Sequence, residues 1–157
     1  MISAFGDYKP LIGSGAFIAH SADVIGRCEI GRDSSIWFGA VIRADVNWIK
    51  IGDRVSVQDG AVIHVTHSKN EDESDGFPTA IGDNATIGHR AILHGCVVES
   101  ACLIGMGAVV LDGAVIGAES IVGAHALVTR SKVFAPRSLI IGSPAKAVRS
   151  LNDDEVA

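Results

Sequence analysis

Three histidines, His64, His89 and His94, stand at spacings that a six-residue repeat converts into a metal site. Imidazole nitrogen suits zinc, iron and cobalt alike, and three neutral imidazoles leave a coordination position open for water. Whether these three can converge depends on the elements that carry them.

From Ile30 onward an aliphatic residue recurs at every sixth position, usually followed by glycine and with a small residue four places later. The clearest units are Ile30-Gly31, Ile81-Gly82, Ile87-Gly88, Ile104-Gly105, Ile116-Gly117 and Val122-Gly123. A helix has a period of 3.6 and a half-buried strand a period of 2, so neither explains a period of six. A hexapeptide solenoid does: each hexad forms one short face, and three faces close one coil. The expected fold is all-β, a parallel β-helix with a continuous core that no single coil could bury alone.

Composition agrees, because a narrow prism holds Ile, Val, Leu and Ala but few rings: 48% of residues are apolar and only 5% aromatic. Cys28, Cys96 and Cys102 are odd in number and lack a CxxC spacing, which reads as three reduced core residues. Met1 to Pro10 has no basic segment followed by an apolar run, so no signal peptide is expected and the compartment is read as cytoplasmic. The apolar stretch Ala101 to Val128 keeps its glycine period and carries Asp112, Glu119 and His125, which argues against a membrane span. A net charge of -5 without a basic patch argues against a nucleic-acid partner.

Taking the aliphatic residue of each hexad as a marker gives Ile12, Ile18, Val24, Ile30, Ile36 and Ile42 without a gap. Three extra residues are read at Trp48 to Lys50, after which Ile51, Val57 and Ile63 resume the count. The polar segment 69–80 lacks a marker and is read as a protruding loop, its acidic run Glu71, Asp72, Glu73 and Asp75 as a solvated face. With that loop excised, Ile63 and Leu93 fall on one face, one coil apart. His64 and His94 each follow their marker by one residue, so they are expected to stack at the inter-strand spacing of about 4.8 Å. His89 follows its marker by two on the preceding face and cannot join them within one chain. A three-fold ring of prisms would bring His89 of one copy to His64 and His94 of the next, which predicts a homotrimer with shared sites. Arg43 belongs to the same column one coil earlier, and Asp45, Gln58 and Asp59 are the nearest polar residues in the count. His20 and His125 are read as surface residues.

These motifs, Arg43-x-Asp45, Gln58-Asp59-Gly60 followed by His64, and Gly88-His89 with Leu93-His94-Gly95-Cys96, resemble the gamma-class carbonic anhydrases over about residues 10 to 150. The resemblance implies a trimer of left-handed β-helices with one metal, zinc or iron, at each interface. It implies ligation by His64 and His94 of one chain and His89 of its neighbour, and an Arg43 to Asp59 ion pair across or beside the interface. The implied reaction is hydration of carbon dioxide to bicarbonate, the metal lowering the pKa of its water toward about 7. Gln58 would orient the hydroxide and Asp45 would hold or accept a proton. The most active members carry glutamates where this chain has Val46 and His67, and an asparagine where it has Ser56. His67, of a residue type suited to proton shuttling at neutral pH, and the acidic loop from Asn70 to Asp75 are the remaining candidates for moving the proton out.

Two other classes stay open. Hexapeptide proteins that transfer acyl groups from coenzyme A use one histidine base and no metal, and Gly142-Ser143-Pro144-Ala145-Lys146 is similar to the end of their β-helix; thioester hydrolysis is a variant. A catalytically silent, metal-stabilised trimeric scaffold is the third. The chain is read as a β-helix domain over 1–142 and a C-terminal segment over 143–157. Ser143 as cap and Pro144 in the first turn predict a short helix from Ala145 to Leu151. The segment around Phe5, Tyr8 and Pro10 is expected to cap the other end.

Overall fold

A computed structural model describes residues 1–70 and 75–156. The hexad markers align in three columns. Val24, Ile42, Ile63, Leu93, Val110 and Val128 pair along one face. Ile30, Ile51, Ile81, Val98, Ile116 and Phe134 pair along the second, and Ile18, Ile36, Val57, Ile87, Ile104, Val122 and Ile140 along the third. Every one of these pairings is parallel, which defines a β-helix. Two faces join as a 12-stranded sheet through the long strands Asp23–Ile30 and Val41–Ile51, and the third is an 8-stranded sheet.

The markers point inward, and most are fully buried; the small residues four places later, Ala40, Ala61, Ala91, Ala108, Ala114 and Ala126, line the same core. Alanine is used there because the chain turns between faces and the interior narrows to close packing. At the N-terminal end the column thins: Ile12 is 36% exposed, and Ile2–Ser3 adds a short strand against Val24 and Ile25.

Two insertions interrupt the count, and both lie a little earlier than the markers alone suggest. The first is a bulge: Gly26 pairs with Ala44, but Cys28 pairs with Ile49, so the three extra residues fall within 45–48 rather than at Trp48 to Lys50. Ile49 is fully buried and belongs to the regular coil. The second leaves the coil after Thr66 and returns at Thr79–Ile81, closed by an antiparallel bridge between Thr66 and Phe77. Thr79 and Ala80 are therefore ladder residues, not loop. Glu71, Asp72 and Glu73 of the acidic run lie outside the described residues.

The C-terminal expectation needs correction. Ala145–Ser150 is not helical; it folds back as a strand antiparallel to Ser138–Gly142, with Gly142 opposite Ala145 and Ser138 opposite Ser150. The edge of the last coil offers unpaired N–H and C=O groups, and six residues gain more by satisfying them than by an isolated helical turn. Among the described residues helix is confined to Asp153–Val156, anchored by Arg149 on Glu155 at 2.6 Å.

All three cysteines are free and buried. Burial pushes the Cys28 thiol up to about 11 and Cys96 up to about 12, with Cys102 raised for the same reason. A raised thiol pKa means less thiolate, the reactive form, at any pH below it. At pH 8 the folded protein is expected to resist iodoacetamide at all three positions and to react fully once unfolded in guanidinium; fast native-state labelling of Cys28, followed by mass spectrometry, would contradict this packing.

Candidate metal centre

His64 and His94 are paired residues on adjacent strands, in register with Ile63 and Leu93. Their rings lie 5.0 Å apart at 65°, and His64 Nδ1 faces His94 Nε2 at 3.1 Å. The buried Thr79 hydroxyl ties the two strands together just behind the rings. It donates to the His64 carbonyl at 2.6 Å and accepts from the Gly95 amide at 2.9 Å.

The outer nitrogen of each ring faces a carboxylate. His64 Nε2 lies 2.9 Å from Asp45 Oδ1, and His94 Nδ1 lies 2.7 Å from Asp112 Oδ1. A carboxylate only accepts, so each outer nitrogen carries the hydrogen and each inner nitrogen presents a lone pair. Two lone pairs facing each other are unfavourable without a cation between them, whether a shared proton or a metal ion. Two nitrogens at about 2.0 to 2.1 Å from a tetrahedral zinc stand about 3.3 Å apart. The observed 3.1 Å suits that donor pair.

Asp45 reaches His64 because it sits on the bulge, outside the regular pleat. Gly26, opposite the bulge, has φ +80°, and a Cβ there would stand 2.2 Å from the Ala44 carbonyl oxygen. Burial by itself raises the Asp45 carboxyl, but the hydrogen bond from His64, the backbone amide and the Arg43 charge outweigh it, leaving the group below the usual carboxylate range. Arg43 Nη1 contacts the other Asp45 oxygen.

The remaining predicted residues form a second cluster. His89, 47% exposed, holds Asp59 Oδ2 at 3.0 Å through Nδ1. Both line a surface hollow with Gln58, Ser56 and Trp37. Within the chain Arg43 therefore pairs with Asp45 and Asp59 with His89, so no intrachain Arg43 to Asp59 bridge forms. Among the described residues no three His, Cys, Asp or Glu side chains gather into a metal-binding group within one chain. His67 is exposed and shares a cavity of about 240 Å³ with Asp45, Tyr8, Arg27 and Asn47.

Sequence reasoning missed Asp112, Thr66 and Thr79. Asp112 was within reach of the count: Val110 stacks on Leu93, and Asp112 follows Val110 by two, at the corner beside His94. Thr79 was hidden by placing the loop boundary two residues late.

The bacterial transferase hexapeptide (six repeats) family matches residues 9–44 and 95–130. Gamma carbonic anhydrase 1, mitochondrial, of Arabidopsis thaliana is 45% identical over 96% of this chain; the chain spans about half of that relative, 54% of its length. A carbonic anhydrase of Geobacillus kaustophilus is 40% identical over 99% of this chain and 81% of the relative. Among solved structures, a hexapeptide transferase family protein from Anaplasma phagocytophilum superposes with a TM-score of 0.90 at 36% identity, covering 99% of this chain and 87% of that one. The chain belongs to the gamma-class carbonic anhydrase-like family of hexapeptide-repeat proteins. Among the described residues no helix is long and apolar enough to cross a membrane.

Replacing Gly26 by alanine forces the backbone at the bulge out of its left-handed conformation and into the Ala44 carbonyl. Urea unfolding is expected to show a loss of about 1–3 kcal/mol; an unchanged midpoint would mean that the bulge does not need glycine.

Proposed function

We propose that the protein is a metal-dependent carbonic anhydrase whose site is completed between copies of a homotrimer, with His64 and His94 from one chain and His89 from the next as ligands. One observation carries the reading: each of the three histidines has one ring nitrogen on an aspartate, Asp45, Asp112 or Asp59. That arrangement fixes the tautomer and ring direction of a metal-binding histidine and raises its basicity. The division of the residues between two clusters supports the shared site, since among the described residues His89 and Asp59 gather no third possible ligand in their own chain.

Zinc, with iron or cobalt fitting three imidazoles equally, would supply a Lewis-acidic centre that acidifies water at neutral pH. The chain's own groups do the rest. Asp45 accepts from His64 Nε2–H and is held at its second oxygen by Arg43, so that as an anion it fixes the His64 tautomer and would offset part of the charge of a bound metal. His67 lines the cavity beside Asp45 and is exposed, so it is the group placed to hand a proton from the site to solvent. Gln58, on the His89 side, is a donor and acceptor able to orient a reacting oxygen, and Asp59 steadies His89. The relatives named carbonic anhydrases support carbon dioxide and bicarbonate as the substrate pair.

Acyl transfer from a coenzyme A thioester is the second reading, favoured by the transferase description of the matching repeat family. It requires one histidine base and leaves three aspartate-paired histidines unexplained.

Metal content and stopped-flow carbon dioxide hydration on the same anaerobically purified sample test the proposal. About one metal per chain with turnover is expected; metal without turnover favours the scaffold, and a metal-free protein that consumes acetyl-coenzyme A favours acyl transfer. The shared site makes a separate prediction. His64→Ala and His89→Ala chains, each unable to bind metal alone, should recover roughly a quarter of the sites when refolded together in equal amounts. No recovery would place all ligands in one chain.

A further inference from the structure

We propose that Asp112 is the positioning residue of His94 and is itself set by the foot of the excursion between Thr66 and Phe77. The inference builds on the reading of His94 as a ligand and extends it to a residue on the next coil.

Asp112 is mostly enclosed, its side chain 15% exposed, and three donors approach its carboxylate. His94 Nδ1 lies 2.7 Å from Oδ1, the Thr66 hydroxyl donates to the same oxygen at 3.0 Å, and Arg130 Nη2 lies 3.6 Å from Oδ2. The Oδ1 atom is thereby pinned between the strand that carries His94 and the residue at which the chain leaves the coil. A carboxylate so held accepts from Nδ1–H and selects the tautomer in which His94 Nε2 is the lone pair facing His64.

Space for this contact depends on glycine. Gly95 has φ +59°, and a Cβ on it would stand 2.5 Å from Asp112 Oδ1 and 2.7 Å from the Phe77 Cβ. On the neighbouring coil a Cβ at Gly113 would meet the Phe77 ring at 3.0 Å. Phe77 fills the room that these two glycines leave, and the Arg130 guanidinium lies 5.7 Å over its ring. The bridge between Thr66 and Phe77, with N to O distances of 2.9 and 3.2 Å, closes the excursion at this point. Thr66 and Arg130 therefore touch both the foot of the excursion and the carboxylate, and His94 is oriented by the same cluster that anchors the loop.

The test uses the metal-free protein first. Long-range proton–nitrogen NMR, at an alkaline pH where no proton is shared between the rings, is expected to find His94 as the Nδ1–H tautomer in the native chain and shifted toward Nε2–H in Asp112→Ala. An Nε2–H tautomer in the native chain, or no change in the variant, overturns the proposal. Cobalt(II) affinity by chelator competition is then expected to fall about 10- to 100-fold in Asp112→Ala, with the circular dichroism spectrum unchanged. Asp112→Asn keeps an acceptor oxygen against Nδ1 and should retain the tautomer and lose less affinity. If the alanine variant does not fold, the asparagine variant decides alone: a several-fold loss of cobalt affinity supports the assignment and an unchanged affinity overturns it. A native chain that shows the tautomer shift on mutation but binds no cobalt(II) supports the role of Asp112 while removing the metal reading.

Discussion

The interior of the prism admits one aliphatic side chain per face and one small side chain where the chain turns, and the rest of the molecule is arranged around that limit. The columns through Ile42, Ile63 and Leu93, and through Val57, Ile87 and Ile104, are fully buried. Among the described residues, charged side chains are then confined to the outward positions and the places where the repeat is broken. Because equivalent positions in adjacent coils sit one strand spacing apart, two histidines that each follow a marker by one residue are brought into contact without any dedicated scaffold. The same ladder would stack any other pair of side chains at those positions.

Regularity made much of this legible. The stacking of His64 on His94 and the separation of His89 from both follow from counting in sixes, and they survive small errors in where the insertions were placed. Those errors have a common physical origin. A marker count detects that residues have been added to a coil but not at which point within the hexad the backbone leaves the ladder; that is decided by packing, by buried Ile49 in one case and buried Thr79 in the other. The C-terminal strand shows a different failure. Ser143-Pro144 has the local chemistry of a helix start, but a nearby unpaired sheet edge overrides a weak local preference in so short a segment. Asp112 was obscured for a third reason: Leu111-Asp112-Gly113 reads as an ordinary turn, and its contact with His94 comes from the coil on the other side.

Both insertions flank His64, one supplying Asp45 from the bulge and the other supplying Thr66 at its foot. Asp45 from the bulge and Asp112 from a regular hexad of the next coil approach the histidine pair from opposite ends, so that Asp45, His64, His94 and Asp112 form one continuous line. The charges along it are compensated in turn, by Arg43 at one end and Arg130 at the other.

The final hairpin reverses the direction of the chain. Every coil before it adds a strand that runs the same way as its neighbour, and such an edge is a template onto which another parallel strand can be laid. Ala145–Ser150 occupies that edge on one face with the opposite polarity. A further hexad arriving there would meet a hydrogen-bonding pattern of the wrong spacing. The molecule thus carries a stop to its own repetition, and on this face a growing stack of prisms, the natural hazard of a fold built from identical steps, finds no strand to continue.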